Sequence, residues 1–184
     1  MTGSTGSTGP SGATGSTTTT TAPANPLSKE TLAIGDSVML GANESLHRAI
    51  PGIFVDAVVS RQFWDAIVVL QAYKDEGLLP GTIVIHLGTN GAFRDDQFEQ
   101  IMSVIGPNRR VFFVNAREPR SWESEVNARL LIDVKRYPDN AHLIDWHLVS
   151  QNHNNWFVQD GFHLSGRGAQ KYAGLIKDHI DKGY

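Results

Sequence analysis

A chain of 184 residues with no cysteine and a formal charge of −3 has no thiol chemistry, no Cys-ligated zinc and no disulfide staple to draw on. Its charges are scattered and form no basic stripe for neutralising phosphates, so nucleic acid is not an expected partner, and Arg109-Arg110 ahead of a strand reads as a solvated edge. No apolar run approaches the roughly 20 residues of a membrane span, and the amino terminus lacks the basic and apolar regions of a signal peptide, so the chain as it stands is expected to be soluble.

Residues 1–26 are nearly all Thr, Ser, Gly, Ala and Pro and cannot build a core. They read as a flexible linker, either a cloning tail or, the reading preferred here, a natural stalk. As a flexible coil the segment would span about 28 Å root-mean-square. Residues 27–184 then form one domain, of a size that buries roughly 68 to 70% of its unfolded surface and needs no metal or disulfide. Within it, strands are expected at Thr31–Ile34, Ile53–Val58, Thr82–Leu87, Arg110–Val114 and His142–Asp145. Helical periodicity runs through Phe63–Tyr73, Gln97–Ile105, Trp122–Val134 and Ala169–Ile180, with Ser121 as an N-cap and Glu123 and Glu125 suiting the positive end of the third helix.

Strict alternation of strand and helix predicts an α/β fold: a doubly wound sandwich with a five-stranded parallel sheet, helices on both faces and right-handed crossovers. In such sheets reactive groups collect at the carboxyl ends of the strands, near the point where strand order reverses. Ser37 follows the first strand, Ser60 the second, Asn90 the third, and Asp160 with His163 the fifth, so all five are expected on one rim. A serine hydroxyl is protonated at neutral pH and becomes a nucleophile only beside a base. His163 can supply that base, with Asp160 fixing its tautomer and stabilising its cation. The oxygen of an attacked carbonyl gains negative charge, for which the backbone N–H groups of Ser37 and Ser60 and the amide of Asn90 are candidate donors. Taken singly, Gly35-Asp36-Ser37 is often a turn, Gly88-Thr89-Asn90-Gly91 a tight turn, and an Asp or His near a helix start a cap. The combination carries the weight.

Ile34-Gly35-Asp36-Ser37, Leu87-Gly88-Thr89-Asn90 and Asp160-Gly161-Phe162-His163 resemble the motifs of the SGNH, or GDSL-like, hydrolase superfamily, across essentially all of the chain after residue 26. That resemblance implies an SGNH, flavodoxin-like sandwich. More narrowly, Gly35 to Leu40, Ser60-Arg61-Gln62, His86 to Gly91 and Pro119 to Glu123 look like the extracellular domains of bacterial peptidoglycan O-acetyltransferases, which hang by a linker from a membrane-embedded acyltransferase portion absent from this chain. The resemblance implies that Ser37 carries an acetyl group from an acetyl donor to a muramoyl sugar hydroxyl, a cell-wall glycan being the acceptor, on the extracellular face of the bacterial membrane. It implies neither cofactor nor metal, and the chain is expected to act as a monomer. Two departures stand out. Ser60 replaces a common glycine, a strained choice if the position needs positive φ, and Glu118 stands where an apolar residue is expected.

The same five residues would serve a secreted or cell-surface carbohydrate esterase, because an acyl-serine can be attacked by water as well as by a sugar. Trp64, Trp122, Trp156 and Phe162 offer stacking surfaces for a glycan or are simply core. Arg61 and Arg120 either approach the glycan or pair with neighbouring carboxylates. His142, His147, His153 and His163 beside Asp145 and Asp160 raise a metal-dependent deacetylase, but no paired-ligand motif accompanies them, and His47, His86 and His179 read as structural. A non-enzymatic wall-binding module would keep the aromatics and have no use for the serine, acid and imidazole together.

Overall fold

The computed structural model describes residues 1–3 and 30–183. The linker expected over residues 1–26 lies, its first three residues apart, outside the described residues. The chain runs β1 (Thr31–Gly35), α1 (Ser37–Gly41), α2 (Asn43–Ala49), β2 (Ile53–Ala57), α3 (Asp65–Asp75), β3 (Thr82–His86), α4 (Asp95–Ile105), β4 (Arg110–Val114), α5 (Glu123–Asp133), β5 (Ala141–Ile144), α6 (Trp146–Ser150) and α7 (Gly166–Lys182), with single 3₁₀ turns at Val134–Arg136 and Asn154–Trp156. All four strand pairings are parallel and the order is β2-β1-β3-β4-β5, the doubly wound arrangement expected.

Side-chain alternation divides the core into two layers. Leu32 and Ile34 of β1, Ile83 and Ile85 of β3, and Val111 and Phe113 of β4 point to one face, where α3, α4 and α5 cover them with Leu70, Phe98 and Leu130. Ala33, Val84, Phe112 and Ile144 point to the other, beneath Met39, Leu46, Trp146 and Tyr172 from α1, α2, α6 and α7. The strands β1 and β3 are buried throughout, as central strands of a parallel sheet must be, whereas β2 is an edge strand that leaves Phe54 exposed.

Close approach requires glycine at Gly35 and Gly168, among others. A Cβ on Gly35 would lie 2.4 Å from the Cβ of Met39, so the turn from β1 into α1 closes only without one. A Cβ on Gly168 would lie 1.8 Å from the carbonyl oxygen of Trp156, which lets α7 press against the turn that precedes the Asp160–His163 loop. That helix is capped by Ser165, whose Oγ accepts from the Gly168 N–H and donates to the Asn155 carbonyl, and it begins three residues earlier than its periodicity predicts. Ser121 does not cap α5. Residue Trp122 occupies that position without a side-chain bond, because the chain first makes a turn from the Glu123 N–H to the Arg120 carbonyl. Glu123 and Glu125 do fall in the first turn.

Candidate active site

The switch in strand order lies between β1 and β3, whose carboxyl ends open the crevice where such sheets bind ligands. Ser37 leaves the end of β1 as the first residue of α1. Asp36 caps that helix by accepting the Val38 N–H at 2.9 Å, which turns the chain sharply and holds the serine at the rim. From the far end of the chain, Asp160 Oδ1 accepts the N–H groups of Phe162 and His163, each at 3.0 Å, and an antiparallel bridge between Phe157 and Leu164 closes the base of the loop. The loop so formed brings His163 Nε2 to 2.9 Å from Ser37 Oγ, with Nδ1 2.7 Å from Asp160 Oδ2.

Desolvation pushes the Asp160 carboxyl up, but the hydrogen bonds from the His163 ring and from the two backbone N–H groups outweigh it and hold the group below its ordinary range. Asp160 is then ionised, Nδ1–H of His163 donates to it, and the Nε2 lone pair accepts the serine O–H. The side chains of His163 and Asp160 remain 37% and 38% exposed, so a substrate and water can both reach them.

Ser60 lies in the loop after β2 with φ +64, the left-handed conformation that favours glycine, and it is exposed at the rim. Among the described residues neither its N–H nor that of Ser37 is taken by a protein acceptor. The Asn90 amide differs, because its Nδ2 donates to Asp36 Oδ2 at 3.3 Å and to the Arg61 carbonyl at 3.2 Å, which uses both its hydrogens. To serve a third acceptor, Asn90 must release one of the two. A groove of about 430 Å³ beside Ser60 is lined by Val58, Val59, Val68 and Val69 together with Arg61 and Asp65.

Of the two roles expected for Arg61, the structure shows pairing with a neighbouring carboxylate. Its guanidinium bonds the Asp56 carboxylate at 2.7 Å, the Asp56 carbonyl and the Gly35 carbonyl at 3.4 Å, and its side chain is 9% exposed. It therefore staples the end of β2 to the end of β1 and anchors the Ser60 loop. Asp56 also accepts from Tyr73, whose hydroxyl is pushed up to about 12 by desolvation and by that carboxylate. Trp156, 7% exposed and stacked between His153 and Trp146, is core and offers no stacking face. Trp64 is exposed at the start of α3, and Phe162 lies against the His163 ring at 4.1 Å. Trp122, half-buried, donates its indole N–H to the Thr89 carbonyl at 3.3 Å, steadying the loop that carries Asn90.

Three further residues of the rim take their setting from the structure. Asp36 is fully buried and orients Asn90, a role detectable only once its cap position and the β1–β3 neighbourhood are known. His86, at the end of β3, bonds the buried Tyr172 hydroxyl at 2.8 Å, and desolvation keeps its ring neutral against the pull of Asp36. Glu118 is 3% exposed, its Oε1 has no hydrogen-bond partner among the described residues, and burial, opposed by Trp122 and Arg120 and reinforced by Glu123 and Asp36, pushes its carboxyl up to about 7. The clustered histidines disperse: His147 faces Glu123, His153 lies on Trp156, and only His163 reaches Ser37. Among the described residues no group of His, Asp or Glu side chains could hold a metal ion, and no helix is long and apolar enough to cross a membrane.

The fold is shared with a member of the lipolytic G-D-S-L protein family from Veillonella parvula, at a TM-score of 0.64 and 14% identity, covering 84% of this chain and 99% of that one. No protein-family model matches this chain. The chain is 35% identical over 153 residues, 83% of its length, to the peptidoglycan O-acetyltransferase OatA of Listeria monocytogenes, and 35% identical over 146 residues to the O-acetyltransferase OatA of Staphylococcus aureus. It spans about a quarter of the length of each of these relatives, 24%. Among solved structures, the C-terminal catalytic domain of Streptococcus pneumoniae peptidoglycan O-acetyltransferase A, carrying a methylsulfonyl adduct, superposes with a TM-score of 0.70 at 24% identity, covering 83% of this chain and 90% of that one. A family 3 carbohydrate esterase from Clostridium thermocellum gives 0.68 at 16% identity, covering 83% and 96%.

Proposed function

We propose that this domain is a serine-dependent O-acetyltransferase that carries an acetyl group on Ser37 and delivers it to a hydroxyl of a cell-wall glycan. The observation that carries the reading is the relay from Ser37 Oγ through His163 to Asp160, at 2.9 and 2.7 Å, on the rim where a doubly wound sheet reacts. The likeness to named O-acetyltransferases supports the choice of acyl group and acceptor. Because the chain spans a quarter of those relatives, the acetyl donor is assigned to a membrane-borne acyltransferase portion outside it, and the reaction to the outer face of the membrane.

In the first half-reaction His163 Nε2 takes the Ser37 proton as Oγ attacks the donor carbonyl, and Asp160 stabilises the imidazolium. The oxyanion is met by the N–H groups of Ser37 and Ser60 and by the Asn90 amide, which exchanges one of its two protein acceptors for it at a net cost of about 1 kcal/mol. Collapse breaks the bond to the leaving group, which departs with the proton from His163. In the second half-reaction His163 takes the proton of the acceptor hydroxyl, the sugar oxygen attacks the acyl carbon, and Ser37 leaves with its proton restored. A well-oriented hydroxyl reaches effective molarities of about 10⁵ to 10⁸ M, against water at roughly tens of molar, so a modest sugar site favours transfer.

Hydrolysis is the second reading, favoured by the open exposure of His163 and Asp160. The two separate on incubating the domain with an activated acetyl ester and a chitooligosaccharide. Acetylated sugar by mass spectrometry, lost in Ser37→Ala, supports transfer. Free acetate alone supports the esterase.

A further inference from the structure

The chain has ten arginines, all among the described residues, and seven of them donate hydrogen bonds to carboxylates, hydroxyls or carbonyls of the protein. Arg117, Arg120 and Arg167 donate none to acceptors among the described residues. These three are not scattered. Arg117 and Arg120 lie in the loop from β4 to α5, and Arg167 is the second residue of α7, four after His163, so all three border the rim that carries Ser37. These guanidinium groups stand at that edge without a hydrogen-bonded carboxylate among the described residues.

Among the described residues the acids of that rim take their hydrogen bonds from groups other than these three arginines. Asp160 is held by the His163 ring and two backbone N–H groups, and Asp36 by Val38 and Asn90. Glu118 sits among Trp122, Glu123 and Asp36, and Arg120 reaches it only through space.

Arg117 is the best placed of the three. Half-buried, it lies with its guanidinium carbon 5.2 Å from the centroid of the Phe157 ring, and Phe157 pairs with Leu164, the neighbour of His163. A contact with an aromatic face occupies the flat side of the guanidinium and leaves the N–H donors along its edge. That edge matches the two oxygens of a carboxylate, and a guanidinium fixed before binding loses less freedom on forming the pair.

We propose that Arg117, flanked by Arg120 and Arg167, is a carboxylate-binding edge of the transfer site that selects acceptors bearing a carboxylate close to the reactive hydroxyl. The inference rests on the acetyl-transfer reading for its product assay, and on nothing but binding for its second arm. The probe is a soluble glycan fragment with free peptide carboxylates, compared with the same fragment amidated. With an activated acetyl ester as donor, the wild type should use the free-carboxylate acceptor with a kcat/KM about 10-fold or more above the amidated one. Arg117→Gln should bring the ratio close to one. Arg117→Lys, which keeps the charge and loses the fork, should restore part of it, and the exposed Arg167→Gln should lower it to a smaller extent.

Binding of the two fragments to Ser37→Ala by calorimetry gives the same comparison without turnover, so a failure of transfer chemistry is told apart from a failure of recognition. Equal binding of both fragments to Ser37→Ala would overturn the proposal. So would an undiminished preference in a folded Arg117→Gln, its fold checked by thermal unfolding and, should it unfold, in Arg167→Gln instead.

Discussion

Replacing Glu118 by glutamine removes a buried ionisation and keeps the side chain's shape. In the folded protein the carboxyl is raised from 4.5 to about 7, chiefly by burial, so between those values the native state holds a proton that the unfolded chain has released. Stability must fall as pH rises across that window: the penalty is absent below about 4.5 and complete above about 7. At about 1.4 kcal/mol for each factor of ten the full displacement is worth about 3 kcal/mol, and screening at a rim site reduces it to about 2 kcal/mol. Glutamine carries no such penalty. Glu118→Gln is therefore expected to match the wild type at pH 5 and to exceed it at pH 8.5 by about 2 kcal/mol, or roughly 4 to 8 °C in Tm for a domain of this size. Thermal unfolding followed by circular dichroism at the two pH values tests this. An equal difference at both, or none at pH 8.5, would refute the reasoning, because only ionisation of this carboxyl links the change to pH.

Ser60→Gly should keep its transfer rate and gain up to about 1 kcal/mol in stability, since glycine adopts φ +64 without strain and the proposed donor is the backbone N–H. A fall in rate of more than about 10-fold would mean that the hydroxyl takes part. For Asp160→Asn, whose side chain is 38% exposed, unfolding should be little changed while turnover drops by about 10⁴-fold through the wrong imidazole tautomer. Rates near wild type would show that another group orients His163.

Composition and periodicity carried the architecture well, for identifiable reasons. The run Arg110–Val114 is read to the residue because β-branched and aromatic residues leave no helical alternative, and four of the longer helices appear where the apolar spacing puts them. The short helices α1, α2 and α6 were not legible, since five to seven residues are too few to show a period, and the start of α7 is masked by Gly166 and Gly168, which look like breakers. At the rim, strand order brings Ser37, Asp160 and His163 within hydrogen-bond reach although 126 residues separate the serine from the histidine. Sequence could not show that Arg61 is claimed by Asp56, that Asn90 has both amide hydrogens engaged, or that Arg117 lies over Phe157 with no carboxylate bonded to it among the described residues, because each depends on which neighbour another element supplies. Glu118 was conspicuous as an acid in an apolar position, and its burial is what gives that oddity a physical meaning.

The central claim is that Ser37 itself bears the acetyl group between the two half-reactions. Quenching the domain with acid during turnover of an activated acetyl ester, then digesting it and locating the acetyl by mass spectrometry, addresses this directly. One acetyl group on the peptide containing Ser37, diminished in His163→Ala and absent in Ser37→Ala, is the expected result. Acetyl found on another side chain, or sugar acetylation continuing in Ser37→Ala, would contradict the account.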